Sequence, residues 1–168
     1  ARGARIDAMD SEGSDANAYV KDNAEMTALL AQHKELATRL MTAIASGDVE
    51  AAKKAIADGA SANTNDGKTS LLMKAVQLGD VALCKEALAL GARADLWHSA
   101  GFAQETPLAV AAGVSSLELL DALLAAGKPS QPVLDDALAA AADAETDRKA
   151  RVERLLAAGA KAGQGTLM

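Results

Sequence analysis

The sequence predicts an all-α fold of stacked helical hairpins, a small helical solenoid, and three observations predict it. Glycines at 59, 91, 127 and 159 close successive apolar segments at spacings of 32, 36 and 32 residues, and self-similarity at such a period marks units that stack. The columns counted back from those glycines are apolar throughout: Ile56, Leu88, Leu124 and Leu156 in one, Ala55, Ala87, Leu123 and Leu155 in the next. A third column holds Ala52, Cys84, Leu120 and Val152, and a fourth Val49, Val81 and Leu117, which is helical spacing on one buried face. Finally, half of the 168 residues are apolar, alanine supplies about half of that share, and Tyr19, Trp97 and Phe102 are the only aromatics. Such a composition favours helix. Small side chains bury little area each, so the predicted core is thin and depends on neighbouring units.

The elements follow in order. Residues 1–15 mix Gly, Ser, Asp and Arg without periodicity and read as an extended N-terminal tail. Three states stay open for it: flexible, laid along another molecule, or packed back on its own repeats. From about Ser14 to His33 the pattern is helical, with Tyr19, Met26, Leu29 and Leu30 on one side and Asp22 or Asn23 able to cap a restart. We assign residues 16–35 to an N-terminal capping helix, since the end of a stack exposes an apolar face that needs covering. One continuous helix running on to Ala45 is the alternative, because nothing around His33 and Lys34 breaks helix.

The repeat domain, residues 36–162, opens with helices near 36–45 and 49–58. Asp48 caps the second of them and Gly59 ends it in the left-handed position. Ser70 to Ala92, SLLMKAVQLGDVALCKEALALGA, is the cleanest copy of the unit, with helices near 69–77 and 80–90. A third copy spans about 106–126. Pro132 fits the first turn of a helix near 132–143, and Glu145-Thr146-Asp147 makes a corner. The last helix runs from Asp147 to Ala158, with Arg148, Lys149, Arg151, Glu153 and Arg154 on an outer, solvated face. Residues 163–168 form a C-terminal tail.

These residues resemble the ankyrin repeat. The family's unit opens with Thr-Pro-Leu-His-x-Ala-Ala, turns at a Gly, runs through a Val/Leu-rich helix and ends in Gly-Ala. Thr106-Pro107-Leu108-Ala109-Val110-Ala111-Ala112 matches this except for the His, replaced by Ala109. Ser70-Leu71-Leu72-Met73-Lys74-Ala75-Val76 and Thr38-Arg39-Leu40-Met41-Thr42-Ala43-Ile44 are looser versions. Gly47-Asp48 and Gly79-Asp80 fit the family's inter-helix corner, and Ser115 takes that glycine's place in the third copy. The resemblance implies protruding fingers between helical pairs. One is the polar connector Ala60 to Lys68, with a turn-forming Asp66-Gly67; a second, Arg93 to Glu105, is longer than the family's usual loop and holds Trp97 and Phe102. After Gly127, Lys128-Pro129-Ser130-Gln131-Pro132 is too short for a full finger.

Charge and composition narrow the function. A net charge of −6 and a pI near 4.9 argue against nucleic acid or an anionic membrane surface as the main target. No apolar run approaches the length of a membrane span, which leaves at most peripheral contact with a bilayer. Cys84, the single cysteine, excludes an internal disulfide and reads as a small core residue rather than a reactive thiol. The chain starts with Ala rather than Met. Read as targeting-peptide cleavage, with Arg2 and Arg5 left near the processing point, this start predicts an organelle, plastid or mitochondrion. Read as an edited start, it leaves the compartment open.

No catalytic residue, metal site or cofactor is expected. His33 and His98 lie far apart, neither with a second ligand at metal-binding spacing. The glycines fall at helix ends and not in a phosphate-cradling pattern. Asp135-Asp136 are neighbours on a helix that point different ways and read as a solvated face.

Recognition remains. The resemblance places a binding wall on the finger tips and first helices, at Asn63, Asn65, Asp66, Lys68, Lys74, Gln77, Asp95, Trp97, His98 and Phe102. Trp97 is either a contact anchor or folds back with Phe102 to close its own loop; His98 reads as a solvated or hydrogen-bonded loop histidine. Two functions follow: a non-enzymatic accessory or structural subunit within a multi-subunit protein complex, or a free regulatory binder of one soluble partner, of the bacterial immunity, inhibitor or effector type.

Overall fold

The computed structural model describes residues 23–100, 103–114 and 116–161; the expectations for the tail at 1–15, the start of the capping helix, Tyr19, Phe102 and residues 163–168 lie outside them. The described residues form eight helices and one two-stranded hairpin. The chain divides into two compact units, Ala1–Asp66 and Gly67–Met168.

In the first unit, α1 (Ala24–Ser46) is a single 23-residue helix. It runs unbroken through His33 and Lys34, which is the continuous alternative; its sequence holds neither Gly nor Pro. Asn23 caps it, its Oδ1 accepting the Met26 N–H at 3.0 Å. Only the second half of α1 is packed: Leu36, Leu40, Ala43 and Ile44 are buried against α2 (Val49–Ala57), which buries Ala52 and Ala55. Met26 and Leu29, in the first half, are 42% and 46% exposed.

The second unit contains α3 (Leu71–Leu78), α4 (Val81–Ala89), β1 (His98–Ala100), β2 (Ala103–Glu105), α5 (Pro107–Val114), α6 (Leu117–Ala125), α7 (Gln131–Ala142) and α8 (Arg148–Ala157). Four of these helices, α3 to α6, start where a short polar side chain takes a free N–H. Ser70 accepts from Met73 at 3.3 Å, Asp80 from Leu83 at 2.9 Å, Thr106 from Ala109 at 3.2 Å and Ser116 from Leu119 at 3.3 Å. The helices pair as α3 with α4, α5 with α6 and α7 with α8. First helices then pack on first helices, α3 on α5 on α7, and second on second, α4 on α6 on α8. Between these two rows lie Leu72, Met73, Val76, Cys84, Ala87, Leu108, Leu119, Leu120, Leu123, Val133, Ala137 and Leu155, all nearly fully buried. Exposed ion pairs join successive second helices, Lys85 to Glu118 at 2.9 Å and Arg154 to Asp121 at 2.6 Å; at such exposure each is worth at most about 1 kcal/mol.

The column containing Ala87, Leu123 and Leu155 is fully buried, as the periodicity requires. Its neighbour is not. Leu88 and Leu124 are half-buried and Leu156 is 48% exposed.

Arg151 departs furthest from expectation. Predicted on the solvated outer face of α8, it is 3% exposed. Its Nη1 donates to the carbonyls of Ala111 at 3.0 Å and Ala112 at 3.1 Å, and its Nε to that of Thr146 at 3.0 Å. The reason lies in the corners. At the end of α3, Gly79 sits in the left-handed region (φ 69), so its N–H and that of Asp80 reach back to the Val76 and Ala75 carbonyls at 3.1 and 3.0 Å. Ala111 and Ala112 occupy the same places in α5, where Ser115 stands in the glycine's sequence position. There the guanidinium takes these last-turn carbonyls, and its charge also suits the negative end of the helix.

Charge-assisted bonds of this kind are worth about 1.5–3 kcal/mol. Arg151→Met is therefore expected to lower unfolding stability in urea by about 3 kcal/mol. Arg154→Ala, on the same helix but half-buried in an ion pair open to solvent, should shift it by less than about 1 kcal/mol. Equal effects for the two would remove Arg151 from this role.

Candidate functional site

The connector after α4 carries the candidate surface. Arg93 and Asp95 close its first turn with two bonds, Nε to Oδ1 at 2.9 Å and Nη2 to Oδ2 at 2.8 Å. The hydrogen bond from Arg93, joined by its charge, holds the Asp95 carboxyl below the usual carboxylate range, and the pairing raises Arg93. The chain then enters the hairpin with side chains alternating about the backbone. Trp97 is 44% exposed while His98 is 2% exposed, its Nδ1–H donating to the Leu96 carbonyl at 2.9 Å.

His98 is thus a buried, hydrogen-bonded loop histidine, and not part of an exposed wall, where the resemblance to the ankyrin repeat placed it. Burial comes from strand alternation, which sends Trp97 and His98 to opposite sides. β1 and β2 pair antiparallel, with His98 opposite Glu105, Ser99 opposite Gln104 and Ala100 opposite Ala103. The outer edge of β1 is tied to the preceding connector by the Ser99 N–H, which donates to the Gly67 carbonyl at 2.6 Å. Thr106, fully buried, then starts α5.

The other expected contact residues fall in both units. In the first, Asn63 and Asn65 are half-buried and serve their own turn: the Asn65 Nδ2 donates to the Asn63 carbonyl at 3.1 Å, and the Asn63 N–H to Ser61 Oγ at 3.3 Å. Asp66 is exposed. In the second unit Lys68 and Gln77 are exposed, and Lys74 and Asp95 are half-buried.

Two features escaped the sequence reading. Leu78 and Val114, each directly before its inter-helix corner, are 59% and 80% exposed. Aligning the corners would have paired them, since α1 carries Ser46 there. The other feature is a cleft of about 210 Å³ between the C-terminal ends of α4 and α6, lined among others by Leu88, Ala92, Asp95, Leu123, Lys128 and Pro129. It exists because α6 ends differently from α2, α4 and α8. Those three finish on Gly59, Gly91 and Gly159 with positive φ, and the next N–H reaches back at 2.9 Å from Ala60 to Ala55, Ala92 to Ala87 and Ala160 to Leu155. After α6, Gly127 has no positive φ. Among the described residues no backbone N–H makes the equivalent bond to Leu123, and the chain runs directly to Pro129.

The two adjacent carboxylates of α7 have separate surroundings. Asp135 Oδ1 accepts from the Lys161 N–H and from Gln131 Nε2, both at 2.7 Å. These bonds lower its pKa and staple the chain after α8 to α7. Desolvation raises Asp136. Among the described residues no group of three His, Cys, Asp or Glu could hold a metal ion, and no helix is long and apolar enough to cross a membrane. No family model matches the chain, and no curated protein matches it significantly.

Trp97, the only tryptophan, makes the surface directly observable. Its emission is expected to lie toward the red and to be quenched readily by acrylamide; blue-shifted, protected emission would place the ring inside the protein.

Cys84 provides a second check. Fully buried in α4, its thiol is pushed up to about 11, first by desolvation. The unfolded chain ionises near the ordinary value of 9.0 and above it binds fewer protons than the folded one. The contribution is therefore complete below pH 9 and disappears as pH rises toward 11, a loss of about 3 kcal/mol. Cys84→Ala should flatten this part of the stability profile.

Proposed function

We propose that this chain is a non-enzymatic protein–protein interaction module, built as an ankyrin-like stack of helical pairs and acting as an accessory or structural subunit of a larger protein assembly. The observation that carries this reading is Trp97. A large aromatic side chain stands 44% exposed on the connector between two helical pairs, while the residue after it is buried. Aromatic side chains so placed dominate interface energetics, and truncating one at a hot spot typically costs about 2 kcal/mol or more.

Further support comes from the order of packing, first helix on first and second on second, and from the match of Thr106 to Ala112 with the ankyrin opening. Lys68, Lys74, Gln77 and Asp95 are the polar companions of Trp97 in this reading, and Asn63, Asn65 and Asp66 are the contact residues of the first unit. The acidic balance of the chain favours a protein partner over nucleic acid.

The native mass of the untagged protein in gentle extract from its source tests this. We expect elution with a larger complex, and release of the chain when Trp97→Ala is introduced, with at least a tenfold loss of affinity, about 1.4 kcal/mol. Elution near 17.0 kDa would instead support a free regulatory binder of the immunity, inhibitor or effector type. A complex indifferent to Trp97→Ala would remove the tryptophan from the interface.

A further inference from the structure

The cleft between the C-terminal ends of α4 and α6 is lined largely by apolar residues, and its size limits what it can hold. Ala92 and Leu123 in its lining are buried, and Leu88 and Pro129 are half-buried. Its volume is about 210 Å³. Pockets for cofactors and drug-sized ligands run from about 300 to 1,000 Å³, whereas a cavity of about 150 Å³ already takes a benzene ring. The cleft is therefore sized for one apolar side chain.

Electrostatics adds a second requirement. Arg93 and Asp95 in the lining neutralise each other at 2.8 Å, which leaves the exposed Lys128 as the local net charge, positive on a chain whose overall charge is −6. Deep in the cleft an anion is disfavoured, because the C-terminal ends of two helices carry negative partial charge. That effect fades beyond the last turn, and Lys128 stands three residues past the end of α6 at Ala125. An apolar group thus suits the cleft and a carboxylate suits its rim. The cleft also adjoins Trp97. Ala92 and Asp95 line it, and Trp97 follows Asp95 by two residues, a span of at most about 7 Å.

We propose that this cleft is an anchor pocket for the partner protein: it takes one aliphatic side chain of leucine size, while an acidic side chain next to that anchor pairs with Lys128. The apolar anchor supplies most of the binding, since burying a leucine side chain outweighs an ion pair open to solvent. Lys128 sets which neighbour the anchor must have. The inference rests on the interaction-module reading and names the chemistry of its partner.

The test titrates a capped peptide, Gly-Ser-Leu-Glu-Gly, into the isotope-labelled full chain and follows the amide resonances. Saturable shifts are expected at Ala92, Gly127 and Lys128, with a Kd of about 1 mM. Alanine in place of the peptide's leucine should weaken binding at least about tenfold, and lysine in place of its glutamate about threefold. Lys128→Glu should reverse that last preference, so that the lysine peptide binds better than the glutamate peptide.

An unchanged urea midpoint confirms that the exposed Lys128→Glu variant is folded, and the peptide series on the parent chain needs no variant at all. Three results overturn the proposal: no saturable shift at those amides up to about 10 mM peptide, binding indifferent to the leucine, or a Lys128→Glu chain that keeps the original preference. A concentration-dependent dimer that the peptide dissolves would overturn it too, in favour of a second copy in the cleft. None of these outcomes touches the native-mass experiment with Trp97→Ala, which reads the parent proposal separately.

Discussion

Short helices with small side chains cannot stand alone, and that constraint organises the molecule. Helices α2 to α8 have eight to twelve residues, below the length at which an isolated helix is stable in water. Their buried faces are rich in alanine, which removes little apolar area per residue. Each pair of the second unit must therefore lie against the next. Larger residues, such as Leu72, Met73, Leu108, Leu119, Leu120 and Leu123, are kept for the layer between the rows of first and second helices.

Where helices are this short, their ends make up much of their length, and end chemistry decides much of the structure. Polar caps at the starts and left-handed glycines at the stops satisfy groups that eight-residue helices cannot satisfy internally. Two of the places where the pattern lapses have opposite results. The end of α5 is completed by Arg151, a charge carried in from α8 and buried against two carbonyls, which binds the last helical pair to the one before it. The end of α6 is left without the usual closing bond, and a cleft forms beside it. One lapse adds a tie within the core, and the other leaves a cleft at the surface.

Much of the fold was legible in the sequence. From residue 49 onward the closing glycines, the Gly-Asp corners and the buried Ala55, Ala87, Leu123 and Leu155 column set helix limits that the structure meets within one or two residues; the limit assigned at 35/36 is absent, since α1 is continuous there. Asp48, and Asn23 as one of two alternatives, were read as caps because capping is local: a side chain three residues from the N–H it accepts needs no tertiary partner. The exposed side of Trp97 and the buried side of His98 were not legible, since a strand's alternation reveals two faces but not which of them meets the body of the protein. Arg151 was misread for a related reason. Basic residues on a terminal helix normally face water, and only an approach over some forty residues of sequence brings this one to Ala111 and Ala112.

By itself, the sequence determined what is local or periodic: an all-helical chain, most of its corners and several of its caps, a thin alanine-rich core and an acidic net charge. These follow from propensity, from hydrogen bonds spanning three or four residues, and from an apolar repeat that any partner surface would satisfy. Tertiary structure alone decided which carbonyls Arg151 would complete, which edge of the hairpin Gly67 would occupy, and that a cleft would open beside Pro129. Each of those depends on two segments distant in sequence arriving at one place. Neither segment carries a mark of the other, because a backbone carbonyl looks the same in every residue until something is packed against it.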